Sequence, residues 1–352
     1  MPLLLGIAGH SGAGKTTLIE ALLPRLAARG WRVGVLKHDA HRLELDRDGK
    51  DTARFFAAGA AAICAHDPTQ SFVRSRSTGP IPLGDAVAGL PADLDVVLVE
   101  GHKDAPIPRL VLAHPEPRPE ICGPEVLGTL GFGPGRLGEA EAMVTSWVER
   151  AWQQRPLGVA VFVGGRSRRM GAHKSMLGLG GRTLLEQVLD RLAPLGRPVL
   201  LVGGGPVPGA LRRTVPVLPD APDAEGPLAG LLALLRHAPE HAWLTVGCDQ
   251  PALGPEHVRP LVAARRPGAW AILPRLAGRD RPEPFGAVIE PQLRAELERA
   301  RARGQWALHE LFTRVPTALV NPPPELASGW RSCNTPAEWR ELTGEEPREL
   351  PE

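Results

Sequence analysis

Two short apolar runs in this chain each open into a glycine-rich, basic loop, and a helical pattern follows each loop. The first is PLLLGIAG leading into GHSGAGKTT, residues 9–17; the second is LGVAVFVGG leading into GGRSRRMGAHK, residues 164–174. A continuous apolar run of this length fits a strand buried on both faces, as in a parallel sheet covered by helices. Glycines after such a strand let backbone N–H groups turn inward. The helix that follows adds the positive end of its dipole, so each loop is suited to hold phosphate. The strand–loop–helix pattern restarts at the second loop, which fits two α/β units.

The rest of the pattern agrees. TTLIEALLPRLAARG reads as a helix ending at Gly30, DTARFFAAGA as a short helix, and WRVGVLKH, AAICAH, DLDVVLVEG and PRLVLAH as strands. LGEAEAMVTSWVERAW closes the first unit as a helix, and QQRPLG, polar with a proline, reads as a linker. Beyond it TLLEQVLDRLAPLG, PLAGLLALLRHA and PQLRAELERARARG have helical spacing, while PVLLVGGG, AWLTVGCDQP, AWAILP and EPFGAVIE read as strands. This alternation predicts two three-layer α/β domains with largely parallel sheets, residues 1–153 and 157–352. A length of 352 residues with 43% hydrophobic residues supports a core in each. The net charge of +2 argues against a nucleic-acid surface. No apolar run is long enough to span a membrane, and the opening MPLLLGIAGHSG lacks the positive segment of a signal peptide. Four scattered cysteines without a CxxC argue against a disulfide framework or a zinc site, and for a reducing cytoplasm.

Gly9 to Thr16 fit GxxxxGK[ST], with a strand before and a helix after. In that motif Gly9, Ser11, Gly12 and Gly14 shape the phosphate cradle, Lys15 reaches the β- and γ-phosphates, and Thr16, next to Thr17, faces Mg²⁺. Glu100, ending the strand VLVE, is placed for a Walker-B-like role beside that metal. His38 and His41 are either metal or phosphate contacts or plain loop residues. In the second loop, Gly164 and Gly165 allow close backbone approach to a nucleotide, and Arg169 and Lys174 neutralise a triphosphate. Asp249, in CDQP, sits at a strand end. Only five of the 41 cationic residues are lysines: Lys15, Lys37, Lys50, Lys103 and Lys174. In so arginine-rich a chain, a retained lysine points to a need for a compact ammonium.

The ordered set GHSGAGKT, KHDAH, GKDTARFFAAGA and LVEGHK resembles the MobB family, the GTP-binding adaptors of molybdopterin guanine dinucleotide synthesis, over most of residues 1–150. The resemblance implies a P-loop NTPase fold that binds GTP with weak or no useful hydrolysis. GGRSRRMGAHK resembles the GGxSxRMGxDK pattern of nucleotidyltransferases, and most of residues 157–340 resembles the MobA family, the molybdenum cofactor guanylyltransferases with a Rossmann-like fold. That resemblance implies catalytic roles for Arg169, Lys174 and Asp249, with Mg²⁺ on Asp249. It puts guanine near GPLAG (Gly226, Pro227, Gly230) and Asp220, and turns Ser332 and Asn334 toward metal or pterin. Asn334 has a second reading, because Thr335-Pro336-Ala337-Glu338 is a helix capping box. Two positions depart from the family pattern: His173 stands in place of aspartate, and Ser332 in place of asparagine.

The implied reaction moves GMP from GTP to molybdopterin and releases pyrophosphate. The implied partners are GTP, molybdopterin, and molybdoenzymes or their chaperones, with a homodimer through the N-terminal domain left open. Cytidylyl transfer, sugar-1-phosphate nucleotidyl transfer, and a non-catalytic GTP-regulated adaptor remain the alternatives.

Overall fold

The computed structural model describes residues 1–39, 50–116, 118–119, 121, 125–164 and 170–350. In the first half the chain runs β1 (Leu3–Gly9), α1 (Lys15–Ala28), β2 (Val33–Lys37), α2 (Asp51–Ala57), β3 (Ala62–His66), β4 (Ser71–Ser75) and α3 (Leu83–Ala88). It continues through β5 (Val96–Glu100), β6 (Arg109–Leu112), β7 (Val126–Leu130) and α4 (Arg136–Gln153). Five strands form one sheet in the order β2-β5-β1-β6-β7, every pair parallel. Its central strands are apolar on both faces because both faces are covered. Leu18, Leu22 and Leu26 of α1 and Val144 and Val148 of α4 pack on one side. Val87 of α3 joins Leu36, Leu94, Val97 and Val99 on the other.

AAICAH, expected among the alternating strands, instead pairs antiparallel with β4 in a hairpin outside the parallel sheet. Asp67 is the reason. Its Oδ1 accepts from the backbone N–H of Thr69 at 2.7 Å and of Gln70 at 2.8 Å, which closes a tight turn and sends the chain straight back.

The second half runs β8 (Leu157–Phe162), β9 (Gly178–Leu179), β10 (Arg182–Thr183), α5 (Leu184–Leu192), β11 (Val199–Val202), α6 (Gly209–Arg212), β12 (Val217–Leu218) and α7 (Gly226–His237). Then follow β13 (Ala242–Gly247), α8 (Pro255–Ala263), β14 (Ala271–Pro274), β15 (Ala287–Ile289), α9 (Leu293–Ala302), α10 (Leu308–Arg314), β16 (Thr317–Val320) and α11 (Pro336–Thr343). The sheet order is β12-β11-β8-β13-β15-β14-β16. β15 lies antiparallel to both its neighbours and the other pairs are parallel. No helix separates β14 from β15, so the chain returns without a crossover. The molecule is thus two α/β units, a P-loop sheet and a Rossmann-like mixed sheet.

In QQRPLG, Gln153, Gln154 and Pro156 are exposed, but the segment does not run free. α4 reaches Gln153, β8 starts at Leu157, and Arg155 between them is buried. The Arg155 guanidinium donates to the Met1 carbonyl at 2.7 Å and lies over the Trp152 ring at 4.0 Å. Around this junction the halves are in direct contact. Gln153 donates to the Arg265 carbonyl, Arg265 to the Arg155 carbonyl at 3.4 Å, and Gln292 to the Leu94 carbonyl at 3.3 Å. Arg299 meets Asp93 at 3.1 Å. A buried ion pair, Arg265–Glu290 at 2.7 Å, stands at the centre. Leu94, Met1 and Arg155 lie just before β5, β1 and β8, and Arg265 precedes β14. The two sheets therefore meet at the starting ends of their parallel strands, and the loops at the finishing ends point away from each other.

Candidate functional sites

At the far end of the first sheet, β1 delivers the phosphate loop to α1. Gly12 and Gly14 have φ of +80° and +83°, a conformation that glycine takes without strain. Lys15 arches back over the loop, its Nζ donating to the carbonyls of Gly9 and His10 at 3.1 Å each. Register places Ile7 of β1 beside Glu100 of β5, which brings the glutamate under the start of α1. There Thr16 Oγ1 lies 3.3 Å from both Glu100 carboxylate oxygens, so these two expected metal-facing groups do meet. Thr17, the next residue, is exposed. A cavity of about 840 Å³ opens beside them, lined by Gly9, Ser11, Lys15 and Glu100 and also by Lys37, His38, His102 and Lys103.

One support of this cavity, Arg109, lies outside every quoted motif. Arg109 is buried and donates to the carbonyls of Lys103 at 2.6 Å and Ala105 at 2.7 Å, tying down the loop after β5. The rings of His38 and His102 are 4.5 Å apart. Among the described residues His102 is the one non-glycine with positive φ, +47°. Desolvation, and then the neighbouring His38, lower the His102 pKa and favour its neutral form. His41 lies outside the described residues.

At the far end of the second sheet a cavity of about 640 Å³ is lined by Gly164, Lys174, Asp220, Gly226, Pro227, Asp249, Ser332 and Asn334. Residues 332–334, from the segment before α11, close this site. Lys174 Nζ donates to Asp249 Oδ2 and to Asn334 Oδ1, each at 2.6 Å. Asn334 Nδ2 donates to Ser332 Oγ at 2.9 Å. The structural reading of CNTP holds, and Asn334 lines the cavity as well. The capping box at Thr335 and Glu338 forms, and Glu338 also accepts from the Asn334 backbone N–H at 2.7 Å, which presents the Asn334 side chain to Lys174. At residue 173 the chain carries histidine, and the carboxylate of Glu349 accepts from its backbone N–H. Gly165 and Arg169 lie outside the described residues.

The opposite wall belongs to α7. A β-carbon on Gly230 would lie 2.5 Å from Phe162 Cε1 and 3.1 Å from Asp220 Oδ1, so glycine is what lets Asp220 and the helix share this space. Desolvation raises the Asp220 pKa. Gln250, Glu283 and Phe285 also line the cavity and carry no sequence signal beyond an aromatic in a chain with 4% aromatics. Gln250 is buried and accepts from the Gly247 N–H at 3.0 Å, fixing the turn that presents Asp249. Phe285 packs against Phe162 with ring centroids 4.9 Å apart.

Four of the five lysines line the two cavities, Lys15, Lys37 and Lys103 in one and Lys174 in the other. Among the described residues no cluster of three or more His, Cys, Asp or Glu could enclose a metal. What each site offers is one or two hard oxygen donors beside a phosphate-sized space. That suits Mg²⁺, which keeps its waters and takes substrate phosphate oxygens. Among the described residues, no helix is long and apolar enough to cross a membrane.

Comparison with known proteins divides the chain in the same way. The model of the family "Molybdopterin guanine dinucleotide synthesis protein B" matches residues 4–127, and that of the "MobA-like NTP transferase domain" matches residues 159–317. The molybdopterin-guanine dinucleotide biosynthesis adapter protein of Haemophilus influenzae is 41% identical over 122 residues, 34% of this chain and 68% of that protein. The "Probable molybdenum cofactor guanylyltransferase" of Deinococcus radiodurans is 33% identical over 192 residues, 54% of this chain and 95% of that protein. The molybdenum cofactor guanylyltransferase of Rhodopseudomonas palustris is 34% identical, covering 52% of this chain and 89% of the relative. A cradle built around Lys15 and a second centred on Lys174 thus sit on the two matching halves, and the chain belongs to the molybdopterin-guanine dinucleotide biosynthesis adapter family over its N-terminal half and to the molybdenum cofactor guanylyltransferases over its C-terminal half.

Proposed function

We propose that residues 157–352 transfer GMP from GTP to the terminal phosphate of molybdopterin, and that residues 1–153 bind GTP as a fused adaptor. The observation that carries the catalytic assignment is the ammonium of Lys174, held between Asp249 and Asn334 at the mouth of the α7 cavity. An oxygen of the acceptor phosphate bonds to the α-phosphorus of GTP, the bond to the β-phosphate oxygen breaks, and pyrophosphate leaves. A phosphate monoester is mostly ionised near neutral pH, so the acceptor needs no strong base. What this chain supplies is position and charge. Lys174, with Arg169, stabilises the negative charge on the α-phosphate and the leaving group. Gly164, Gly226 and Pro227 border the nucleotide, and Asp220 faces the guanine edge, where a carboxylate accepts from two N–H groups at once. Ser332 and Asn334 turn toward the pterin side. Mg²⁺ on Asp249 adds Lewis-acid stabilisation of the phosphates when bound.

In the adaptor, Gly9, Ser11, Gly12, Gly14, Lys15 and Thr17 surround the GTP phosphates, and Thr16 and Glu100 hold Mg²⁺. We place the protein in the cytoplasm, in keeping with the free thiols of Cys64, Cys248 and Cys333, and take molybdoenzymes or their chaperones as recipients of the product. The test is incubation with molybdenum cofactor, Mg²⁺ and either GTP or CTP. GTP should yield the guanine dinucleotide and pyrophosphate, and Lys15→Ala should abolish GTP binding by the adaptor while leaving transfer intact. Faster turnover of CTP, or loss of transfer in Lys15→Ala, would refute the assignment.

A further inference from the structure

Lys174 begins a three-residue 3-10 turn, Lys174–Met176, and the chain around it is held from two sides. On the inner side Leu177 is fully buried with Leu184, Cys333 and Trp339. On the outer side residues 348–350 run antiparallel alongside and close a single β-bridge. Gly178 N donates to the Arg348 carbonyl at 2.8 Å, Leu350 N donates to the Met176 carbonyl at 2.9 Å, and Leu177 pairs with Glu349. The Leu350 side chain rests on Gly178, where a β-carbon would come within 2.7 Å of Leu350 Cγ.

This segment delivers one carboxylate to one peptide. Glu349 accepts from the backbone N–H of His173, the residue directly before Lys174. Glu349 is itself exposed, so burial does not account for its placement. What its placement does is fix the Ala172–His173 peptide, one peptide unit before the one that leads into Lys174.

We infer that Glu349 is a positioning residue for the transfer reaction. It holds the Ala172–His173 peptide at the entry to the 3-10 turn and so aims Lys174 at the transferring phosphate, which makes the 348–350 segment part of the transferase site. The inference rests on the role of Lys174 proposed above. Because a charge stabiliser works only when preorganised, loosening this peptide should appear in turnover rather than in nucleotide binding.

In the full chain, Glu349→Ala should lower kcat for guanylyl transfer by about tenfold to a hundredfold, the order expected when a reacting group is held less accurately. KM for GTP should stay within about twofold and the thermal midpoint should not move. Glu349→Gln, whose amide oxygen still accepts the His173 N–H, should restore most of the rate. Lys174→Ala, measured in parallel, separates the two claims. Loss of transfer there with normal kcat in Glu349→Ala overturns this inference alone. Full activity in Lys174→Ala overturns both. A Glu349→Ala defect confined to KM, or one that glutamine does not relieve, also overturns the positioning role.

Discussion

An ammonium that donates to two side-chain oxygens at 2.6 Å each sits in a space made for a point charge. Lys174→Ala should therefore reduce guanylyl transfer by about two to three orders of magnitude, the usual cost of removing one preorganised stabiliser of developing charge. Lys174→Arg should also be poor, because a planar guanidinium cannot take both contacts in the same volume. Asp249→Asn should lose activity through weaker Mg²⁺ binding and regain part of it at high Mg²⁺, whereas Lys174→Ala should not respond to added metal. Steady-state rates across a metal titration would check this, and near-normal turnover by Lys174→Arg would mean that charge alone matters. The place of Lys174 in a ligand-sized cavity was legible in the sequence, through its glycine loop and the scarcity of lysine. Its tie to Asn334 was not, because the partner lies 160 positions away and the capping box was a sufficient local reason for the same residues.

α7 shows how an element can be specified by what it leaves out. Alanine normally favours a helix over glycine, yet at position 230 the added carbon would press on Phe162 and Asp220. Gly230→Ala should therefore raise KM for GTP by about tenfold, equal to about 1.4 kcal/mol and within the usual cost of overpacking. An unchanged KM would show that α7 has slack and that Asp220 does not depend on it. Most elements were readable because buried parallel strands and amphipathic helices write their period into the chain. AAICAH is a strand, as its apolar content predicts, but its antiparallel partner β4 carries no such signal, and the turn that joins them is made by the side chain of Asp67. The direction of β15 was invisible for a similar reason, since apolar content does not encode which way a strand points.

At the scale of the whole molecule, the contact between the halves was the least legible feature. Arg155, Arg265, Glu290 and Asp95 look like surface residues in the sequence, yet all four are buried at or beside the junction. Asp95 Oδ2 accepts from the Arg32 N–H at 2.8 Å. Desolvation outweighs this bond, the Gly268 backbone N–H and the charges of Arg155 and Arg32, and raises the Asp95 pKa from 3.8 to about 6. Between those values the folded chain holds a proton that the unfolded chain has released. The contribution of Asp95 to stability is thus greatest below that window and is lost as pH rises through it, by at most ~3 kcal/mol. Denaturant midpoints should fall from pH 4 to 6 on this account, and Asp95→Asn should flatten the fall and raise stability at pH 8; an identical profile in the variant would exclude Asp95 as the cause. The junction that buries this carboxyl also sets how traffic reaches the two sites. Because the sheets meet at their strand starts, the two nucleotide mouths open into solvent on opposite poles. GTP leaving one mouth rejoins the common pool before it can enter the other, so joining the halves gives the transferase no local enrichment of its substrate. What the single chain guarantees is stoichiometry, one adaptor for each transferase, and opposite directions of approach for any large partner that visits them.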